Sequence, residues 1–247
     1  MSTVSSLLWL LVATLCVAGS SLAFPTSLVS ICPSASGNRR TCTTTRSTTT
    51  ALESSLSNAD DDFFETQAWQ TTKERLNKLP TFFCAVDNGA PLQFRQMESG
   101  EIYTMPFFYC DIEAAQQELA LLQKSYGDMN IGVFPLGDAF ELESKDQALI
   151  IPSQAAVERT GAAPARSSSL PIGMSVPLFG SVTQQNQQGL SVLPLFMVYE
   201  EVEAKNPSVI TLTLDSVVQA MTTMETPPTF DFVPPQTSLE YIKVNNL

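Results

Sequence analysis

The chain carries a repeat of itself, and this limits the available folds more than any other feature. Pro80-Thr81-Phe82-Phe83 is echoed by Pro177-Leu178-Phe179, and Met105-Pro106-Phe107-Phe108-Tyr109 by Leu193-Pro194-Leu195-Phe196-Met197. Pro135-Leu136-Gly137-Asp138-Ala139-Phe140 returns as Thr213-Leu214-Asp215-Ser216-Val217-Val218, and Ile151-Pro152-Ser153-Gln154 as Val233-Pro234-Pro235-Gln236. The echoes keep their order while the offset runs 97, 88, 78 and 82, as shortened loops in the second copy would produce. A solenoid needs about three or more units to bury its faces. Two copies therefore predict a pseudo-twofold globule in which two half-units share one core.

Two segments precede the repeat and stand outside that fold. Leu7 to Ala18 is an uncharged apolar run ending at Ser21-Leu22-Ala23. It is short for a membrane span of about 20 residues and has the layout of a signal peptide, residues 1–23, cleaved between Ala23 and Phe24. An uncleaved anchor is the alternative. Residues 24–50 hold 13 Ser or Thr, the arginines Arg39, Arg40 and Arg46, and no acid. Such a stretch cannot bury enough apolar area to order itself and reads as a transit peptide. A Thr-rich glycosylated stalk is the alternative, against which the arginines count. Signal peptide, Ala23-Phe24-Pro25 and transit peptide together resemble the bipartite presequence of proteins bound for complex plastids, as in diatoms.

All 25 acidic residues lie after position 50 against 10 basic ones, a net charge near −15 for residues 51–247. That balance speaks against nucleic acid, whose binding relies on Lys and Arg neutralising phosphates. It speaks equally against docking on anionic lipid; peripheral membrane association stays open. No further stretch approaches membrane-spanning length, which predicts a soluble or peripheral protein.

Within residues 51–247 the first copy is expected over about 79–161, a hinge rich in Ala, Pro, Gly and Ser over 159–173, and the second copy over about 174–244. Helical spacing predicts a helix over 63–77. Apolar and alternating runs predict strands over 82–86, 92–97 and 102–109, joined by tight turns at Asn88-Gly89 and Ser99-Gly100 as three consecutive antiparallel strands. Asp111 should cap a helix to about Tyr126 whose stripe of Ile112, Ala115, Leu119, Leu122 and Tyr126 lies on the sheet. A strand is expected over 131–136, a helical turn over 138–142, a second-copy helix over 200–205, and a strand through Ile210, Leu212 and Leu214. The class is α+β: two pseudo-symmetric halves, each a mainly antiparallel sheet with packed helices.

Catalytic chemistry is sparse. There is no histidine, which removes Ser-His-Asp and Cys-His catalysis and His-ligated zinc. No phosphate loop, metal spacing or cofactor motif appears, and Gly137 reads as an isolated turn residue. Glu141 and Glu143 read as a solvated face. Of five cysteines only Cys84 and Cys110 follow the presequence, each in an apolar aromatic run; buried thiols are expected, with a single bridge or a redox role as alternatives. These readings favour binding over catalysis.

The first copy then becomes recognisable. Leu76-Asn77-Lys78-Leu79-Pro80-Thr81-Phe82-Phe83, then Asn88-Gly89-Ala90-Pro91-Leu92, then Phe107-Phe108-Tyr109 ahead of Ala114 and Ala115, resembles the twenty-two-kilodalton Tic component family of plastid protein import. Val209 to Val217 resembles that family's strand ending in Leu-Asp, and Phe232-Val233-Pro234 its late Phe-x-x-Pro element. The likeness spans roughly residues 63 to 244. Thr81 departs from the family's Val, and the second-copy helix is truncated. The resemblance implies a chaperone-like import factor in the envelope intermembrane space, with unfolded precursors or transit peptides and translocon subunits as partners. It also implies apolar grooves, for which Phe83, Phe108, Phe179 and Phe196 are the candidate walls. A scaffold linking translocon subunits without touching cargo is the competing expectation.

Overall fold

The computed structural model describes residues 63–247, apart from 87, 99–100, 171, 182–183, 186–190, 205–207 and 226. The signal, cleavage-site and transit-peptide readings, Ala23 and Phe24 among them, lie outside the described residues.

Two five-stranded sheets with the same plan face a common interior. The first comprises β1 Pro80–Ala85, β2 Gln93–Glu98, β3 Glu101–Tyr109, β4 Asn130–Pro135 and β5 Leu149–Ile151; the second β6 Pro177–Gly180, β7 Gln184–Gln185, β8 Ser191–Phe196, β9 Ile210–Thr213 and β10 Phe230–Val233. The path is β2-β3-β1-β4 with β5 parallel to β3, and β10-β8-β6-β9 with β7 antiparallel to β8. Each first-sheet pairing has its second-sheet counterpart, so β1 to β5 correspond in order to β6 to β10.

The ladders also grade the sequence echoes. Pro80 lies opposite Pro135, and Pro177 opposite Thr213, which bears out the offsets of 97 and 78. Tyr109 pairs with Phe82 and Ile151, whereas Phe196 pairs with Phe179 and Val233. Tyr109 is therefore the counterpart of Phe196, an offset of 87 rather than 88. The matching prolines Pro106 and Pro194 are one position out of step.

One equivalent pair has exchanged large for small. Phe83 lies opposite Gly132 in the first sheet, and the counterpart pair Gly180–Ile210 reverses the sizes. A Cβ on Gly132 would sit 2.2 Å from the Phe83 ring, and one on Gly180 2.5 Å from Ile210. Each glycine makes room for a large cross-strand partner on the same face.

The helices are α1 Gln67–Leu76, α2 Ile112–Tyr126, α3 Leu136–Ser144, α4 Gln154–Thr160, α5 Tyr199–Glu203, α6 Leu214–Thr223 and α7 Gln236–Asn245. Asp111 caps α2 by accepting from the Glu113 N–H at 2.9 Å. Ile112, Ala115 and Leu122 turn inward, whereas Tyr126, expected in the stripe, is exposed at the helix end. Thr66 interrupts the long first helix expected over 63–77, because its hydroxyl accepts from the Trp69 N–H and restarts the helix as α1. Thr213 and Ser216 form a reciprocal capping box, so Leu214 begins α6 instead of ending a strand. Gly137 lies in the first turn of α3, where an added Cβ would meet Asn77 of the α1 end at 2.5 Å; close packing, not a turn, explains it.

Of the expected succession of three paired strands, β2 and β3 pair antiparallel as expected, but β1 and β2 do not pair. The turn at Asn88-Gly89 forms, with Gly89 at φ 79°. Beyond it the chain before β2 meets β1 at the Ala85–Pro91 bridge and through the Leu92 N–H donating to the Cys84 carbonyl, but no ladder forms between β1 and β2. β3 instead lies between β2 and β1, because its first half pairs with β2 and its end pairs with β1 and β5.

The largest buried cluster contains Phe83, Phe108 and Leu136 of the first half together with Leu178, Leu195 and Leu214 of the second, so the halves share one core as expected. α1 precedes both copies and fastens them together. Its Lys73 pairs with Asp138 and Glu141 of α3, both at 2.7 Å, while Arg75 donates to the Phe230 carbonyl of β10. The segment between the copies is pinned: Ala165 N–H donates to the Gly173 carbonyl and Ser175 N–H to that of Ala163.

Candidate functional site

The four groove candidates come together in two pairs, one in each half. Phe83 meets Phe108 edge-on at 5.9 Å between ring centroids, and Phe179 is the cross-strand partner of Phe196. All four are buried. Phe83 and Phe108 face the shared core, whereas Phe179 and Phe196 lie under α4 and α5 with Ala156, Tyr199 and Val202. β1 shows how strands apolar on both faces are accommodated. Phe83 and Ala85 join the shared core, while Phe82 and Cys84 are covered by residues of α2.

Cys84 and Cys110 are both free and buried. Burial pushes the Cys84 thiol up to about 12, with a smaller contribution from the Glu118 carboxylate, and it pushes Cys110 up as well. Neither is a thiolate near neutral pH, the form a nucleophile or redox centre requires. Iodoacetamide is expected to label both much more slowly in the native protein than after denaturation, read by intact mass. Native labelling at the denatured rate would contradict the assignment.

The principal departure from the sequence reading is Glu143. Taken there as solvated, it is 2% exposed. Its carboxylate accepts from the Ile150 N–H at 2.9 Å and the Ser167 hydroxyl at 2.8 Å. Burial, joined by Asp215 and Asp146, pushes its pKa up to about 7 against those two hydrogen bonds. The serine-rich connector supplies its neighbours. Ser167 N–H donates to Asp215 at 2.7 Å, Ser175 also donates to Asp215, and Ser168 and Ser169 donate to Asp146. Three carboxylates thus hold the link between the copies. The signal was present in the sequence: Leu136, Ala139, Phe140 and Glu143 are spaced as one helix face, so Glu143 continues an apolar stripe. Glu141, the other member of the pair, is held by Lys73 and Lys145.

A cleft of about 280 Å³ opens between the halves. The chain entering α2 and α4 forms one side, and the counterpart segments entering α5 and α7, with Val176 and Pro177 at the start of β6, form the other. Elsewhere on the surface, Leu121 and Tyr126 of α2 and Leu239 and Val244 of α7 are exposed. These two helices pack on each other, and Tyr241 of α7 meets Phe82 edge-on at 5.9 Å. Among the described residues, no helix is long and apolar enough to cross a membrane.

A pair of like sheets around a shared core, with covering helices after the third, fourth and fifth strand of each, defines a two-sheet α+β class of protein. Within it the chain has the fold of Tic22. Tic22 from Plasmodium falciparum is similar at a TM-score of 0.54 and 18% identity, covering 71% of this chain and 97% of the other. Tic22 of Anabaena, described as a protein of protein transport, is similar at a TM-score of 0.52 and 18% identity, covering 72% and 98%. The fold implied by the family resemblance is thus the fold found. No protein-family model matches the sequence, and no curated protein does.

Proposed function

We propose that the protein is a chaperone-like factor of protein import into the plastid, binding unfolded precursors in the envelope intermembrane space. The fold shared with the Tic22 structures, one of them described as protein transport, carries this reading. The apolar side chains left exposed on α2 and α7 support it, since a soluble protein that shields unfolded chains needs such a surface. In this reading the client rests on α2 and α7, and the buried Phe83, Phe108, Phe179 and Phe196 support the sheets behind the surface.

The test is suppression of aggregation of an unfolded precursor by residues 51–247 at low and at high salt. An apolar grip persists when surface charge is screened. Suppression in both conditions is expected; loss of suppression in high salt would reduce the protein to a charged decoy. A second reading, a scaffold linking translocon subunits, is favoured by the burial of all four phenylalanines. It wins if nothing is suppressed while an envelope protein co-purifies.

Targeting is proposed to run through the bipartite presequence, with Phe24 read after cleavage at Ala23. A fluorescent fusion of residues 1–60 should reach the plastid, and Phe24→Ala should stall it outside. Unchanged delivery of the variant would contradict the proposal.

A further inference from the structure

We infer that the cleft between the halves is a receptor for one basic side chain, an arginine or lysine of an extended, acid-free segment. The inference rests on the cargo-binding reading above and gives it a chemistry.

The cleft joins three independent features. Its rim carries Asp111, Glu113 and Glu200, from the starts of α2 and α5. None of the three forms a salt bridge with a lysine or arginine among the described residues. Its walls are apolar where the rim is not, with Val176, Pro177 and Met197 among them. Ser238 of α7 lines it as well; that residue is 1% exposed and its Oγ has no hydrogen-bond partner. A buried hydroxyl without a partner is costly to keep, and a guanidinium or ammonium donor entering the cleft would supply one.

Volume selects the size of the occupant. At about 280 Å³ the cleft falls just below the range of small-molecule sites, roughly 300–1,000 Å³. That volume is enough for one long side chain. A long aliphatic stem ending in a cation fits both parts, because the stem lies on the apolar wall while the head reaches the carboxylates. An apolar side chain would leave Glu113 and Glu200 without a cationic partner, and an anion would be repelled by the rim. The chain's own presequence supplies a probe of the required kind, since residues 37–50 contain Arg39, Arg40 and Arg46 and no acid.

The experiment measures binding of a labelled peptide of residues 37–50 to residues 51–247, which contain both sheets and every buried cluster. Glu113→Gln with Glu200→Gln is expected to weaken binding by about tenfold or more at low salt. Changing Glu74 and Glu225, both exposed and neither lining the cleft, to Gln alters net charge equally and is expected to leave affinity within about twofold. Ser238→Ala should weaken binding several-fold while the native fold is retained, which its unfolding curve checks. Replacing the peptide arginines with alanine should abolish binding to the parent.

Equal losses in the two double variants would reduce the effect to overall charge and overturn the assignment. Undiminished binding of the arginine-free peptide would do the same. If the cleft variants bind the peptide as the parent does yet aggregation is still suppressed, the cleft assignment alone fails. If peptide binding behaves as expected and suppression fails, the chaperone reading falls and the cleft remains a recognition site.

Discussion

Glu143→Gln is expected to make the protein more stable than the parent above pH 7.5 and to leave it little changed near pH 4.5. The unfolded chain releases this proton around 4.5, while the folded protein keeps it to about 7. Between those values the native state binds more protons, so stability falls as pH rises. The contribution is complete below 4.5 and is lost as pH climbs through about 7. At about 1.4 kcal/mol per pH unit the interval amounts to roughly 3 kcal/mol. Glutamine keeps an acceptor for the Ile150 N–H and offers a donor to Ser167, so the variant retains the geometry without the charge. Glu143→Leu removes the acceptor and should cost about 1–3 kcal/mol even at low pH. Urea unfolding of parent and Gln variant from pH 4.5 to 8 reads the difference directly. Parallel curves would show that Glu143 stays ionised when buried and that the connector latch is insensitive to pH.

Trp69→Ala is expected to cost about 3–5 kcal/mol, a large part of the stability of an ordinary domain. The indole is fully buried and packed among Phe63, Phe64 and Phe140, with centroids 5.2 to 5.7 Å away. α1 belongs to neither copy, yet it is tied to α3 through Lys73 and to β10 through Arg75. Loosening Trp69 therefore weakens the joint between the halves as well as the local packing. Trp69→Phe should cost much less, because the indole N–H has no partner to lose. Unfolding followed by probes in each half checks this: the Ala variant should melt earlier in both halves. An effect confined to the first half would mean that α1 does not couple them.

The repeat was legible in the sequence because equivalent strands keep Pro and Phe at their starts, and the prolines at Pro80 and Pro177 mark the same ladder position. The strand order was not. Local turn chemistry at Asn88-Gly89 is satisfied, but the partners of β1 are β3 and β4, whose pairing depends on contacts distant in sequence. The inversion of Phe83–Gly132 into Gly180–Ile210 was hidden for the same reason, since each residue makes sense only beside a partner on another strand. Of the candidate site, the burial of Cys84 and Cys110 was readable from their apolar surroundings. Glu143 was readable too, from the helix face it shares with Leu136, Ala139 and Phe140. The cleft was not, because residues from five separate chain segments form it and Ser238 acquires significance only there.

The measurement that bears most directly on cargo binding is photocrosslinking from Leu121 or Leu239, each replaced singly by a photoreactive residue, in plastids holding a precursor arrested during import. A chaperone-like import factor predicts crosslinks to the arrested precursor from these positions and none once import is completed. Crosslinks to envelope proteins alone, unchanged by the presence of the precursor, would contradict cargo binding and establish the protein as a scaffold.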